Sequence, residues 1–173
     1  LFEKREQLSR EMSKAILNDD VEKAKKLVKM GVDPSDLDGS DEWTFVETAV
    51  VDNAIEIIRY FLSMKDVNFT LRCFQYAIAK DKVEIFKMFL KDSRFHPYIE
   101  YIEQAYKNNI VEIVELLLND KKIKKQLSDE DIEKYKYMIS EHKKLTSKYP
   151  ELDEIAEELA SEFSAIINKK TRN

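Results

Sequence analysis

Nucleophilic catalysis needs a hydroxyl or thiol activated by a neighbouring base, most often histidine. This chain of 173 residues offers only His96, His142 and one cysteine, Cys73. His96 precedes Pro97 and reads as a turn residue at a helix entry. His142 lies in Glu141-His142-Lys143 and reads as a solvated helix position; its helical neighbours Met138, Ile139 and Thr146 supply no metal-ligand set. Cys73, with Leu71 and Phe74 beside it, reads as a small core residue. One cysteine excludes a disulfide framework and any Cys-based zinc site. Two glycines exclude the glycine-rich loops that cradle phosphates, which need several close together. No catalytic residue, metal or cofactor is therefore assigned.

The charged residues are more numerous but less pointed. With 34 Asp+Glu, a carboxylate pair carries little information. Asp36-x-Asp38-Gly39 resembles the start of a calcium loop, and Glu47 falls at the twelfth position where a bidentate carboxylate is expected. The sixth position, however, is Asp41 where such a loop needs glycine, and the stretch is better explained as a turn between helices. Lys121-Lys122-Ile123-Lys124-Lys125 is the strongest candidate for contact with an acidic lipid or nucleic acid. It reads more simply as the basic end of a helix, complementing the helix dipole. A net charge of −5 and the absence of interleaved aromatics argue against nucleic-acid binding. No apolar run approaches the roughly 20 residues that span a bilayer, and Leu1-Phe2-Glu3-Lys4-Arg5 is not a signal peptide. A cytoplasmic protein is expected, and the first residue, not Met, reads as that of a fragment or processed product.

The elements behind these residues are set by an internal repeat. Four segments align on an alanine, Ala15, Ala49, Ala77 and Ala105, at spacings of 34, 28 and 28. Six residues on stand Val21, Ile55, Val83 and Val111, each followed by Glu. Three residues before the alanine stand Met12, Val46, Phe74 and Ile102, and twelve after it Leu27, Phe61, Phe89 and Leu117. The pattern predicts two short antiparallel helices per unit, the first ending just past the alanine and the second starting at Val/Ile-Glu. Between them sit Asp19, Asn53, Asp81 and Asn109. After glycine, these are the residue types that best tolerate the positive φ of a tight turn. The small alanine admits close approach of the neighbouring helix, and stacked pairs share a core that one pair alone cannot bury.

These units resemble ankyrin repeats. Residues 31–62 carry the likeness best, with Gly31-Val32-Asp33-Pro34 similar to the family's Gly-Ala-Asp-Val turn. Trp43-Thr44-Phe45-Val46-Glu47-Thr48-Ala49 stands where the family has Tyr-Thr-Pro-Leu-His-Leu-Ala. Ile55-Glu56-Ile57-Ile58-Arg59-Tyr60-Phe61-Leu62 matches its Leu-Glu-Ile-Val-Lys-Leu-Leu-Leu helix. The likeness covers roughly residues 8–120. The family's Gly-His pair is absent from every unit, and the 28-residue units fall short of its period of about 33. The missing residues lie where a projecting β-hairpin finger would be, so only residues 31–43 are long enough to form one.

After Leu118 the period stops, since Glu133 stands where a fifth alanine would fall. Ser128 then reads as a helix N-cap with an acidic first turn, followed by Ile132, Tyr135, Met138, Ile139 and Leu145 at helical spacing. Tyr149-Pro150 breaks the chain, and Leu152, Ile155, Leu159, Phe163, Ile166 and Ile167 stripe a last helix. The expected fold is all-α, an ankyrin-like helical repeat solenoid with two C-terminal capping helices. Residues 1–122 would hold four degenerate repeats (about 8–37, 38–66, 67–95 and 96–122), and 123–173 a helical cap or extension. A monomer is expected, with the last helix as the alternative dimer contact.

The resemblance implies a non-enzymatic protein–protein interaction module whose partner is another protein. It also implies which side chains read that partner: finger residues and the pair that follows the small residues of each first helix. By position these are Ser40, Asp41 and Trp43, then Leu17, Asn18, Val51, Asp52, Ala79, Lys80, Lys107 and Asn108. Trp43, the sole Trp, would either pack on its neighbour at the finger base or anchor a partner. Charge along the row changes from Asp41 and Asp52 to Lys80 and Lys107. An alternative reading is a targeting or adaptor domain of a larger microbial or viral protein that binds a host factor. Richness in Ile, Lys, Asn and Asp, typical of an AT-rich genome, supports it.

Overall fold

The computed structural model describes residues 2–40 and 42–149. Over these residues the chain is all-helical, with ten helices and one isolated antiparallel bridge between Leu37 and Thr44. It divides into two units after Leu127. The stripe from Leu152 to Ile167 lies outside the described residues, as does Asp41.

The first unit holds four helix pairs: α1 (Phe2–Leu17) with α2 (Val21–Lys29), α3 (Phe45–Val51) with α4 (Ile55–Ser63), α5 (Leu71–Ala79) with α6 (Val83–Lys91), and α7 (Ile99–Lys107) with α8 (Val111–Asn119). A single-turn helix, α9 (Lys121–Lys124), follows. Each helix packs on its pair-mate; α1, α3, α5 and α7 also contact one another in succession, and α2, α4, α6 and α8 do the same.

One turn is used four times. Asp19, Asn53, Asp81 and Asn109 have φ of 49°, 58°, 52° and 58°. The next residue donates its N–H back to the alanine carbonyl: Asp20 to Ala15 at 2.8 Å, Ala54 to Ala49 at 2.9 Å, Lys82 to Ala77 at 2.7 Å and Ile110 to Ala105 at 2.9 Å. The left-handed residue itself donates to Ile16, Val50, Ile78 and Tyr106. This pair of bonds is the Schellman closure, which satisfies carbonyls that a helix end would otherwise strand. The alanines therefore act twice, as acceptors and as buried contacts, with Ala15 3% exposed and the other three fully buried. Gly31, at φ 100°, closes α2 in the same way, with Gly31 N–H to Val28 and Val32 N–H to Leu27.

Asp19 does more than turn the chain. Its carboxylate accepts from the N–H of Glu56 at 3.0 Å and of Ile57 at 2.9 Å, the first turn of α4. The residue at the N-cap of α4 is Ala54, which has no side chain able to cap. One pair thus satisfies the orphan donors of the next.

The apolar columns meet between the pairs: Met12, Ile16, Val46, Val50, Ile78 and Ile102 from the first helices, and Leu27, Ile57, Phe61, Phe89, Val114 and Leu117 from the second are all buried. Within the third pair and the link that follows it, Phe74 meets Phe89 at 5.0 Å and Phe95 at 4.7 Å, and Phe86 meets Phe95 at 5.7 Å, all edge-on. The links at 64–70 and 92–98 are short. Arg94 seals the first of them. Its guanidinium, held by Asp92 at 2.7 and 2.8 Å, donates to the carbonyls of Leu62, Met64 and Val67 and lies over Phe69.

The longer link makes only the beginning of a finger. The Leu37–Thr44 bridge is extended by Asp38 N–H to the Trp43 carbonyl at 2.7 Å and Phe45 N–H to the Asp36 carbonyl at 3.1 Å. The lysine cluster is also placed differently from expectation. It does not end α8, which stops at Asn119; it forms α9, whose N-terminus Asp120 caps by accepting from Lys122 and Ile123 N–H. Asp120 breaks the helix because its carboxylate serves that new start, and Ile123 is the buried anchor of the turn.

The second unit is described by α10 (Asp129–Lys148), capped by Ser128, which accepts from Asp131 N–H at 3.1 Å. Tyr135 and Ile139 are buried and Ile132 and Met138 half-buried, but Leu145 is 55% exposed, so the apolar stripe ends a turn earlier than the spacing predicts.

The turns give a direct stability test. Asn53→Ala is expected to cost about 1–2 kcal/mol, the penalty of an ordinary L-residue in the left-handed region, whereas Asn53→Gly is expected to be neutral or stabilising. Asp19→Ala should cost about 1 kcal/mol more than Asn53→Ala, because the α4 cap is lost as well. Urea unfolding midpoints check the order, and equal losses at the two sites would refute the capping role.

Candidate partner-binding surface

The first helix of each pair ends two residues past its buried alanine, and these helices pack side by side. Their C-terminal ends therefore form a row. The structure places Val51 and Asp52 at the end of α3, Lys80 at the end of α5, and Lys107 and Asn108 at the end of α7. Asp52, Lys80, Lys107 and Asn108 are exposed and Val51 is half-buried. Leu17, 57% exposed, and Asn18 continue the row at α1. Partial loss of water pushes the Asp52 carboxyl up; Lys82 opposes this and Asp38 adds to it. Lys82, at the N-cap position of α6, thus belongs to the same surface. It escapes a sequence reading because it lies one residue past the turn, outside the positions taken from the resemblance.

Trp43 is half-buried and packs on its neighbours. Its ring lies 4.7 Å from that of Tyr76, tilted by 30°, and the Arg72 guanidinium sits over it at 5.3 Å. Arg72 in turn binds Glu47, from Nη2 to Oε2 at 2.6 Å and from Nε to Oε1 at 3.0 Å, and donates to the Glu42 carbonyl. Glu47 is 2% exposed. Its remaining acceptor capacity takes the Thr70 hydroxyl at 2.6 Å and the Thr44 N–H at 3.0 Å, while Thr44 Oγ1 accepts from Glu47 N–H. This is a capping box closing the first turn of α3. Burial pushes the Glu47 carboxyl up, but the hydrogen bonds from Arg72, Thr70 and Thr44 win and bring it down to about 2. The Thr-x-x-Glu spacing that announces the box is present in the sequence, but the partners Thr70 and Arg72, 23 and 25 residues on, are not foreseeable from it.

The acidic residues of the calcium-like stretch that are described are engaged with neighbours. Glu47 spends both oxygens on Arg72, Thr70 and the Thr44 amide; Asp38 takes the Ser40 N–H and the Thr48 hydroxyl; Asp36 faces Arg5 at 3.4 Å. Among the described residues no group of three or more His, Cys, Asp or Glu is placed to hold a metal ion. Burial pushes the Cys73 thiol up to about 11, and His96 is exposed.

The described surface of the first unit includes the following concavities. One, of about 470 Å³, is bounded by α1 and the 31–45 link through Arg5, Leu8, Val32, Leu37 and Phe45, and its walls are mainly apolar. Another, of about 230 Å³, lies at the start of α5 and α7 between Leu71, Gln75, Tyr98, Glu100 and Tyr101. No helix among the described residues is long and apolar enough to cross a membrane. Compared with protein-family models, curated proteins and solved structures, the chain shows no significant match to any.

The Glu47 cluster makes stability depend on acid in a defined window. A carboxyl lowered from 4.5 to about 2 contributes stability that is complete above pH 4.5 and lost as pH falls through about 2. The shift bounds that contribution at about 3 kcal/mol. Glu47→Gln should therefore be less stable than the parent at pH 7, and the gap should close on acidification below pH 4.5. Urea unfolding across pH 2–7 checks this, and a gap that stays constant with pH would show that the charge contributes nothing.

Proposed function

We propose that this chain is a non-enzymatic protein–protein interaction module, an array of ankyrin-like helix pairs that binds another protein along the row at the ends of α3, α5 and α7. The supporting observation is the arrangement itself. Val51, Asp52, Lys80, Lys107 and Asn108 come from three separate pairs and share one edge, and four of the five are exposed. Their identity is free of the core, which the alanines and the apolar columns satisfy. An acidic end at Asp52 and a basic end at Lys80 and Lys107 give the edge a polarity that would orient a charged partner. Trp43 serves here as a support, packing on Tyr76 and under Arg72 toward the start of α5, away from the row.

The test is charge reversal at the row. A partner captured from a lysate on residues 1–173 and then purified is titrated against the parent and against Asp52→Lys/Lys80→Glu/Lys107→Glu. Affinity is expected to fall by at least about tenfold with an unchanged far-ultraviolet circular dichroism spectrum. Undiminished binding by the folded variant would place the partner elsewhere.

A further inference from the structure

Tyr101 is 2% exposed, and its hydroxyl is the one buried side-chain polar atom among the described residues that has no hydrogen-bond partner. Folded proteins rarely strand a buried donor, and the exceptions call for a reason. Tyr101 also lines the 230 Å³ pocket at the start of α5 and α7, beneath whose surface the hydroxyl lies. Its neighbours there are unusual too: Leu71 is 52% and Tyr98 51% exposed, on helices whose other large apolar side chains are mostly covered. Tyr98 meets the Tyr101 ring edge-on at 5.7 Å from a position just before α7.

The pocket stands at one end of α5 and α7, and Lys80 and Lys107 stand at the other. Nine helical residues separate the two ends by about 12 Å. An extended peptide covers that distance in about four residues. We infer that the pocket is the anchor site for an extended peptide segment of the partner, which inserts one apolar side chain between Leu71 and Tyr98, turns Tyr98 aside to place a backbone carbonyl on the Tyr101 hydroxyl, and sets an Asp or Glu about four residues away against Lys80 and Lys107. The inference rests on the row being the partner surface and names what that surface selects. The apolar walls choose the anchor, the stranded hydroxyl chooses an acceptor, and the two lysines choose the charge. Burial holds the phenol at about 12, so at neutral pH it is a donor.

A random peptide library displayed on phage and selected on residues 1–173 tests this. Enriched peptides should pair an apolar residue with Asp or Glu about four positions away. Selection on Lys80→Glu/Lys107→Glu should replace that acid with Lys or Arg. Tyr101→Phe keeps the ring but removes the stranded hydroxyl. It should raise the urea midpoint of the free protein while weakening the best peptide about five- to tenfold. Failure to enrich any peptide, peptides without this pairing, or a Tyr101→Phe variant that is not stabilised or binds undiminished would overturn the inference. If the charge-reversed row loses a peptide that Tyr98→Ala and Tyr101→Phe still bind normally, the pocket falls and the row stands. A peptide indifferent to all these variants removes both.

Discussion

A residue at φ near +50° sets its Cβ against the following carbonyl, at a cost of about 1–2 kcal/mol for most L-amino acids. The first unit accepts that conformation at Asp19, Asn53, Asp81 and Asn109, never with glycine. What it gains is a reversal tight enough for two successive helices to lie back to back with the terminal carbonyls of the first satisfied. The alanine carbonyl receives the closing bond in all four turns. Without it, each first helix would fray over its last turn, and its partner would lose the surface it packs on. Asp and Asn are the residues that reach this conformation with least penalty and keep a polar side chain for other work. Asp19 uses that side chain to cap α4.

The turns fix where each helix ends, and this determines what can face outward. The alanine, closed over by its neighbour, allows no side chain beyond a methyl. Two residues on, the helix has ended and its side chains meet solvent. Core and surface are thus assigned to positions only two or three residues apart, and they change independently. The polar clusters follow a similar division. Arg72 with Glu47 and Arg94 with Asp92 each tie one pair to the next, and each guanidinium also covers an aromatic ring. Glu47 is almost fully buried and Arg72 half-exposed. A carboxylate so enclosed must keep its partner, since a buried unpaired charge is costly.

Much of this was legible in the residues. The alanine columns, the Val/Ile-Glu starts and the Asp/Asn turns are local features whose spacing encodes backbone geometry directly, and α2, α4, α6 and α8 begin at Val21, Ile55, Val83 and Val111. Less legible was whatever depends on partners distant in sequence. Nothing in Lys121-Lys122-Ile123-Lys124-Lys125 says that Asp120 will break α8 to cap a new turn. Nothing in Leu145 says that the apolar stripe of α10 stops before it. The Glu47 box was visible as Thr44-x-x-Glu47, but the resemblance directed attention to the family's tetrapeptide instead. The row at the helix ends follows from position alone, and Lys82, one residue past the turn, falls outside those positions although it acts on Asp52.

The shortened links change what a surface of this kind can offer. Where residues 31–44 make a bridged loop tied to α3 by the Thr48 hydroxyl on Asp38, the links at 64–70 and 92–98 are shorter, and Arg94 ties the first of them down through three carbonyls. A projecting finger would shield the start of the helix behind it. With none over α5 and α7, Leu71 and Tyr98 stand in solvent and Tyr101 keeps its hydroxyl without a partner. Exposed Leu and Tyr at neighbouring helix starts are a cost in solubility that a chain free to place polar residues there would avoid. The same economy of link length that makes the array compact leaves an uncovered apolar pocket at the opposite end of the helices from the charged row.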